Sequence, residues 1–421
     1  MVRWWILAFF LFVVSIWSYF YRFDVENWGR MVVSVKTEPY TIGERTLIIA
    51  PHPDDETLIG AGIIQKAVEQ KKSVKVVIVT NGDGYRGAVK RNFGVENPVA
   101  TDFRKLGEIR HQESLDAMHH LGLKTSDILF LGYPDGGING MWERDWDYNH
   151  LHQGLNGYDH SPYAFSFEKQ AAYCGENLIK NLSDVIHHYQ PTDIIYPDPH
   201  DRHHDHWATS AFVKYTLIKD SYKRKEWTFL VHRGNFPYPW SYKPWMPLRP
   251  PTVLEGVNTQ WHYFDLNKKE VIQKYEAIQK YNTQTRVMKS FLSAFARKNE
   301  MLGSYKEYKL LNNGVQPLFF PDPVADTAIR DNIPEADLVK VGVLRRDKSL
   351  YVGIETKAPI QAEVEYGIHL RLFASQGIKR IDATVKQNKV SFMNDASNSI
   401  VPTKSSNFYI NKNQLWFQLP E

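Results

Sequence analysis

Two short stretches of this 421-residue chain gather side chains that can bind a metal and move a proton. The first is His52-Pro53-Asp54-Asp55-Glu56, and the second is Asp198-Pro199-His200-Asp201-Arg202-His203-His204-Asp205-His206. Imidazole and carboxylate are ligands that a borderline divalent metal such as zinc accepts. Adjacent acids on a turn can point in different directions, one holding a metal while its neighbour handles protons. An acidic helix cap is the competing reading of the first stretch, with Asp54 or Asp55 accepting backbone N–H bonds. Four histidines within seven residues set the second stretch apart from an ordinary polar loop. His203 and His206 are three apart and share a face if a helix begins there. Together the two stretches converge on one metal. Three protein ligands with an open fourth position make a catalytic rather than a structural site. No side-chain nucleophile competes, because G-x-S-x-G is absent and the one cysteine, Cys174, lies in a helix-like run.

Such residues need a frame that brings them together. Strand-like runs fall at Thr46–Ala50, Val74–Thr80, Asp127–Leu131, Asp193–Tyr196 and Thr228–His232, with helix-like runs near 57–71, 105–121, 168–189 and 206–219. This alternation predicts an α/β fold: a Rossmann-like, mostly parallel sheet with right-handed crossovers and helices on both faces. Both chemistry-bearing stretches then lie at the carboxyl ends of strands, where such sheets place their sites. Two insertions interrupt the rhythm, at about 84–104 and 135–165. The second carries Trp142, Trp146, Tyr148, His150, Tyr158 and Tyr163, and reads equally as a loop over the site or as an excursion packed on its own aromatics. A Pro-rich stretch at 238–251 is followed by one long helical run from about Lys268 to Asn299. The catalytic domain is thus expected over 44–316, and Pro- and Asp-rich 317–336 reads as a linker. Alternating runs at Val339–Leu344, Leu350–Glu355, Ala362–Tyr366, Ile368–Phe373, Ile381–Val385 and Gln414–Gln418 predict a small C-terminal β-sandwich over 337–421.

Composition narrows the class. Hydrophobic residues make up 43% of the chain, enough for a catalytic domain and a smaller companion. A net charge of +4, dispersed along the sequence, excludes nucleic acid as the expected partner. A single cysteine excludes an intrachain disulfide and a CxxC site. Trp4 to Tyr21 is uncharged and mostly apolar, with Trp and Tyr near both ends. That length and those flanks predict a transmembrane signal anchor over 1–22, followed by a linker over 23–43. The expected placement is a single-pass membrane anchor with the catalytic domain outside the cytoplasm. Arg3 lies on one side and Arg22, Arg30 and Lys36 on the other, so the positive-inside count does not fix the orientation.

The paired motifs resemble those of the GlcNAc-phosphatidylinositol de-N-acetylase family, the PIG-L/LmbE-like zinc deacetylases. Pro51-His52-Pro53-Asp54-Asp55-Glu56 resembles its first loop and His203-His204-Asp205-His206 its H-x-D-H segment. The likeness extends through Thr80-Asn81-Gly82-Asp83, Arg110-His111-Gln112-Glu113 with Leu121-Gly122, Leu131-Gly132-Tyr133-Pro134-Asp135, and Lys274 with Tyr281-Asn282-Thr283-Gln284. It covers about 44–305. The resemblance implies zinc held by His52, Asp55 and His206, with Asp54 as general base and His203 stabilising an oxyanion; a nearby imidazolium can stabilise such a charge. It places Arg110 and Asp135 against the sugar. It implies removal of an N-acetyl group from an amino sugar in a glycan or glycolipid. Another acyl amide, an O-acetyl ester, or glycan binding without catalysis are the alternatives. His204 stands where the family usually has proline, and His200 with His203 forms a second H-x-x-H pair that could shift the ligand set. His119-His120, His187-His188 and Arg86 read as surface or satisfied groups, and the sequon Asn181-Leu182-Ser183 falls in a helix-like run.

Overall fold

The computed structural model describes residues 38–254, 257–308, 310, 314–323, 333–346, 349–374, 377–387, 389–394, 400–402 and 408–419. The apolar segment expected to anchor the chain, Trp4 to Tyr21, and most of the linker after it lie outside the described residues. Among the described residues no helix is long and apolar enough to cross a membrane.

The central sheet has eight strands: β1 (Glu38–Pro39), β2 (Arg45–Ala50), β3 (Ser73–Thr80), β4 (Ile128–Tyr133), β5 (Asp193–Pro197), β6 (Lys225–Phe229), β7 (Thr259–Asp265) and β8 (Asn299–Tyr305). Their order is β1-β7-β8-β6-β5-β2-β3-β4. The five strands β4-β3-β2-β5-β6 are parallel, and β8 joins β6 and β7 antiparallel. Side chains alternate across each strand. On β2, Ile48 and Ala50 enter one core and Leu47 and Ile49 the other. The first core is closed by α1 (Asp55–Glu69), α3 (Ala100–His120), α7 (Lys268–Ile278) and α8 (Asn282–Ser293), and the second by α4 (Ile138–Glu143), α5 (Gly175–Tyr189) and α6 (His204–Lys219). A further short helix, α2 (Arg86–Phe93), packs Ala88 and Val89 against Phe103 and Leu106. Burial on both faces explains why the parallel strands read as continuous Ile/Val/Leu runs. The α/β class, the parallel sheet and its two helical faces are as the sequence predicts.

Several elements differ. The fifth parallel strand is Lys225–Phe229, not Thr228–His232, so Val231 and His232 lie beyond the strand where Asp201 accepts both their backbone N–H groups. The long helix expected from Lys268 to Asn299 is two helices and the start of a strand. It breaks where Glu113 accepts the N–H and hydroxyl of Thr283, at 2.7 and 2.6 Å, which opens α8 at Asn282. The run expected to be helical from 168 becomes α5 only at Gly175, with Cys174 as its buried N-cap residue.

A five-stranded sheet, β16-β17-β11-β10-β9, faces a four-stranded one, β12-β13-β14-β15. These strands are β9 (Leu318–Pro321), β10 (Leu338–Arg346), β11 (Ser349–Thr356), β12 (Tyr366–Ala374), β13 (Gly377–Lys386), β14 (Lys389–Asn394), β15 (Ile400–Pro402), β16 (Phe408–Asn411) and β17 (Gln414–Leu419). Val352, Ile354, Leu415 and Phe417 from the first sheet share a core with Ile368, Ile381, Ala383 and Val385 from the second, which is a β-sandwich. Its edge strand β9 lies inside the segment read as a linker, paired to β10. The strand expected over Ala362–Tyr366 is a turn that delivers Tyr366 to β12.

The sandwich grips the α/β domain through two arginines. Arg371 donates to the carbonyl of Trp142 at 2.5 Å, and its guanidinium lies over the rings of Trp142 and Trp146. Arg380 donates to the carbonyl of Glu143 at 3.0 Å. Buried Asp382 accepts from both arginines and from His369, which fixes their planes. Trp142 and Trp146 pack edge-on and face-on against Phe212 of α6. These two aromatics of the second insertion therefore serve packing, not the mouth of a site.

Candidate metal centre and active site

The two motif loops leave β2 and β5, which are neighbours in the sheet although three strands apart in the parallel series. This is the point where the winding direction reverses, and a crevice opens there at the carboxyl ends of the strands. His52 Nδ1, Asp55 Oδ2 and His206 Nε2 meet in it. His52 Nδ1 is 3.2 Å from Asp55 Oδ2 and 3.2 Å from His206 Nε2, and His206 Nε2 is 3.1 Å from Asp55 Oδ2. Ligands at about 2.0–2.1 Å in a tetrahedral zinc shell stand roughly 3.3 Å apart, so the triangle has the right size for one ion. Three further triplets, His52-His203-His206, Asp55-His206-His232 and His52-Asp135-Asp205, also bring ligating atoms within 4.8 Å. In the triangle of His52, Asp55 and His206 all three mutual distances are 3.1–3.2 Å.

The second nitrogens of the two histidines decide the chemistry of the first. His206 Nδ1 is 3.1 Å from Asp201 Oδ2, and His52 Nε2 is 3.1 Å from Asp205 Oδ2. A carboxylate on each outer nitrogen holds the proton there and turns the inner nitrogen into a lone pair, the arrangement that orients metal-binding imidazoles. Three lone-pair donors then face one another and need a cation between them. Without a metal, protons meet that need. Burial lowers the imidazole of His206, but Asp201 and Asp55 outweigh it and push His206 up to about 9. His52 is likewise raised well above its ordinary value against burial, by Asp135, Asp205 and Asp55. Burial pushes Asp55 up, but the two imidazoles hold its carboxyl well below the usual range. Metal must displace those protons, so zinc affinity is expected to rise steeply with pH until about 9. A chelator competition measured across that range, together with proton release on binding, checks it; a pH-independent affinity would contradict the site.

Asp201 is the residue that sequence reasoning left without a role. Its Oδ2 also accepts from the N–H groups of Val231 (2.8 Å) and His232 (3.0 Å), and its Oδ1 from that of His203 (3.0 Å). One carboxylate thus locks the second motif loop to the segment after β6. Asp201→Asn is expected to weaken zinc binding by about 10–100-fold with the fold retained, as read by metal titration and circular dichroism. Asp205 does the corresponding work for the other wall, accepting from Gly136 N–H (2.7 Å) and Ile138 N–H (3.0 Å).

Asp54 stands beside the triangle but does not join it. Its backbone φ is +116°, a region that costs a non-glycine residue about 1–3 kcal/mol and that collects at functional sites. Its side chain makes no capping bond to α1, so the acidic-cap reading fails for Asp54. Instead Arg110 Nη2 donates to its Oδ2 at 3.1 Å and Glu56 Oε2 accepts its N–H at 2.9 Å. Burial pushes Asp54 up to about 8 against the pull of Arg110, with the negative charges of Asp55 and Glu56 adding to the rise. Arg110 itself is buried and committed, donating to the carbonyls of Pro53 and Gly82 as well. The expected sugar contact is therefore first an anchor for the Asp54 loop, although Arg110 still lines the crevice. Glu56 extends the anchorage: its Oε1 accepts from Tyr281 (2.7 Å) and Ser114 (2.8 Å). Farther out, buried Lys274 bonds Glu300 at 2.6 Å, and Glu300 accepts the N–H of Gly62 on α1. The late motif residues Lys274 and Tyr281 thus support the first loop and α1 from behind, while Thr283 ties α8 to Glu113 of α3.

His203 opens α6 and its Nδ1 accepts the N–H of Asp205 at 3.3 Å. Burial, then His52, His206 and His232, hold His203 down to about 2. Burial and these neighbouring rings thus favour the neutral form, and the bond at Nδ1 leaves Nε2 to carry the proton. His232, carried by no motif, packs its ring 4.8 Å from that of His206 and lines the crevice; burial and His206 lower it to about 4. His204 is exposed at the rim. His200 turns away, its Nδ1 against Asp198 (3.1 Å) and Tyr305 (3.0 Å), so His200 and His203 do not form a ligand pair. Asp135 faces His52 Nε2 at 3.3 Å through Oδ1, while its Oδ2 accepts the N–H of Gly84. Asp83 holds the turn below it, accepting from Asp135 N–H, from Tyr163 and from Asn156 of the second insertion. That insertion sends His152, Gln153 and Leu155 to the crevice wall, so part of it does border the site. The crevice encloses about 790 Å³, within the range of small-ligand sites. A second cavity of about 510 Å³, bounded by Trp207, Lys214 and Glu226, contains none of the converging ligands.

Residues 47–217 match the protein-family model PIG-L, described as GlcNAc-PI de-N-acetylase. Over these residues the chain is similar to the PIG-L family. The match spans both motif loops and strands β2 to β5, so all seven predicted site residues fall within it. No curated protein matches the chain at a significant level. Among solved structures, a deacetylase of teicoplanin biosynthesis is 15% identical over 63% of this chain and 100% of its own, with a TM-score of 0.42. The N,N'-diacetylchitobiose deacetylase from Pyrococcus horikoshii is 18% identical over 62% of this chain and 82% of its own, with a TM-score of 0.37. GalB, a 4-carboxy-2-hydroxymuconate hydratase from Pseudomonas putida KT2440, is 15% identical over 63% of this chain and 98% of its own, with a TM-score of 0.39. The PIG-L match ends within α6, so β6, β7, β8, α7, α8 and the β-sandwich lie beyond it.

Proposed function

We propose that the protein is a zinc-dependent hydrolase that removes the acetyl group from an N-acetylated amino sugar carried on a glycan or glycolipid. The observation that supports this most is the triangle of His52 Nδ1, Asp55 Oδ2 and His206 Nε2, lying in the stretch similar to the PIG-L family. His52, Asp55 and His206 would hold the ion. When bound there, zinc supplies Lewis acidity, making water nucleophilic near neutral pH and polarising the amide carbonyl.

The remaining steps belong to the chain. Asp54, held by Arg110 beside the triangle, takes the proton of the attacking water as its carboxylate and returns it to the departing amine. His203 offers Nε2–H to the oxygen that becomes negative as the carbonyl carbon turns tetrahedral, a donor already oriented by the bond at its Nδ1. A neutral donor suits this role beside a cation, since it adds no further positive charge to the site. Asp135, fixed by Gly84 and facing the crevice, is placed to accept a sugar hydroxyl. Products are acetate and a free amine, with water as the only co-reactant.

The deciding experiment is a screen of metal-loaded protein against N-acetylated amino sugars, polysaccharides and glycolipids for acetate release. Release that stops with a chelator and returns with zinc is the expected outcome. Zinc-loaded protein inert on every one of them would remove the proposal. Matched N-acetyl and O-acetyl sugars separate amide from ester hydrolysis.

A further inference from the structure

A row of rings leads from the metal crevice to the surface. His232, beside His206, stacks on Phe291 with centroids 5.6 Å apart and planes at 16°. Phe291 lines the crevice and meets Trp240 edge-on at 5.3 Å. Trp240 belongs to the Pro-rich loop 236–246, where it is 51% exposed and Trp245 is 67% exposed, with Tyr238 and Tyr242 each at 37%. Large aromatic side chains in water usually mark a binding surface.

This loop is held rigid. Arg297, fully buried, donates to the carbonyl of Pro239 at 2.8 Å. Trp240 Nε1 donates to the carbonyl of Asn235 at 3.0 Å, and the N–H of Lys298 bonds the carbonyl of Met246 at 3.1 Å. Tyr242 rests 4.2 Å from the ring of Tyr275, and Lys243 sits over Trp245 at 5.3 Å. The rings are thus set before any ligand arrives, which removes most of the ordering cost of binding.

We infer that this loop is a distal glycan subsite, an aromatic platform on which sugar units stack while the acetylated unit of the same chain occupies the crevice. The inference rests on the deacetylase reading above and narrows its substrate to an oligosaccharide or polysaccharide. Pyranose rings present a C–H face bordered by hydroxyls, and they match flat rings whose edges carry N–H and O–H groups. The exposed large hydrophobic residues of the loop are all Trp or Tyr, and Lys243 is its one cation. A loop built to enter a lipid surface carries aliphatic side chains and a cluster of basic ones instead. Continuity with Phe291 places the platform on the path of a chain leaving the metal centre.

The test uses the full, zinc-loaded chain with N-acetylglucosamine and its β-linked oligomers of increasing length. KM is expected to fall with length. Trp245→Ala is expected to raise KM for the longer oligomers by about tenfold, the size of one lost ring contact, and to leave the monosaccharide unchanged. Trp245→Phe, which keeps a flat face, should retain most of the preference. No length dependence, or equal effects of Trp245→Ala on monomer and oligomer, would overturn the inference. Loss of binding to phosphatidylcholine–phosphatidylglycerol vesicles with oligomer KM unchanged would assign the loop to a membrane instead. Calorimetric titration of the oligomers into Asp54→Asn protein separates the two readings. Binding that Trp245→Ala weakens, with no turnover by the parent protein, leaves the platform standing and removes the deacetylase.

Discussion

Asp54→Asn is expected to lower kcat by roughly 10²–10⁴-fold while the protein stays folded and keeps its zinc. The asparagine preserves size and can still meet Arg110, so the loop at φ +116° loses little support. What disappears is a carboxylate that accepts a proton from water and returns it to nitrogen. Zinc content by elemental analysis, a thermal melt and acetate release on one preparation are the three measurements needed. Full activity in this variant would place the proton transfer elsewhere in the crevice. An inactive variant that had also lost zinc would mean Asp54 is part of the metal shell, contrary to the 3.1–3.2 Å triangle that closes without it.

His206→Ala is expected to abolish both zinc binding and activity, and to cost stability as well. His206 lies fully buried between Asp201 and Asp55, which are 3% and 1% exposed. Its removal leaves two buried carboxylates without their shared partner, a loss of about 3–5 kcal/mol for a broken buried pair. Urea unfolding of the metal-free proteins reads that loss directly. Zinc should raise the melting temperature of the parent protein and leave that of the variant unchanged, because binding to the folded state alone is what stabilises. A variant as stable as its parent would show that the carboxylates are neutral, and the metal centre would have to be redrawn.

The two motif loops were legible because each is contiguous: strand, acid–histidine cluster, helix. β2 and β5 could be read from Ile/Val runs buried on both faces, and their adjacency put the clusters together. The supporting residues were not legible, because their meaning is a distant partner. Asp201 sits in the cluster itself, yet nothing local says that it holds Val231 and His232. Glu56 meets Tyr281 across 225 positions, and Glu113 meets Thr283 across 170. That second bond also explains the misplaced helix: periodicity continues through 279–283, but Glu113 stops α7 from running into α8. Strands β7 and β8 escaped for a related reason: their antiparallel pairing joins Thr259 to Tyr305 and Asp265 to Asn299 across two intervening helices. Arg110, expected against the sugar, lines the crevice and also holds Asp54, a partner its position in the sequence does not show.

The arginine grip between the sandwich and α4 makes the dimensions of the crevice a property of the whole chain. Asp205 pins the near end of the 136–143 segment, and Arg371 and Arg380 pin its far end at Trp142 and Glu143. The wall that carries Asp135 and Asn139 is therefore a beam fixed at both ends, one support in each domain. Excising the sandwich would expose two indoles and free one end of that beam. An α/β fragment alone would keep its ligands yet work with a looser gauge, and would misreport which substrates the intact protein accepts. Conversely, substitutions in β12 and β13, far in sequence from any motif, become handles for tuning substrate size without touching the metal.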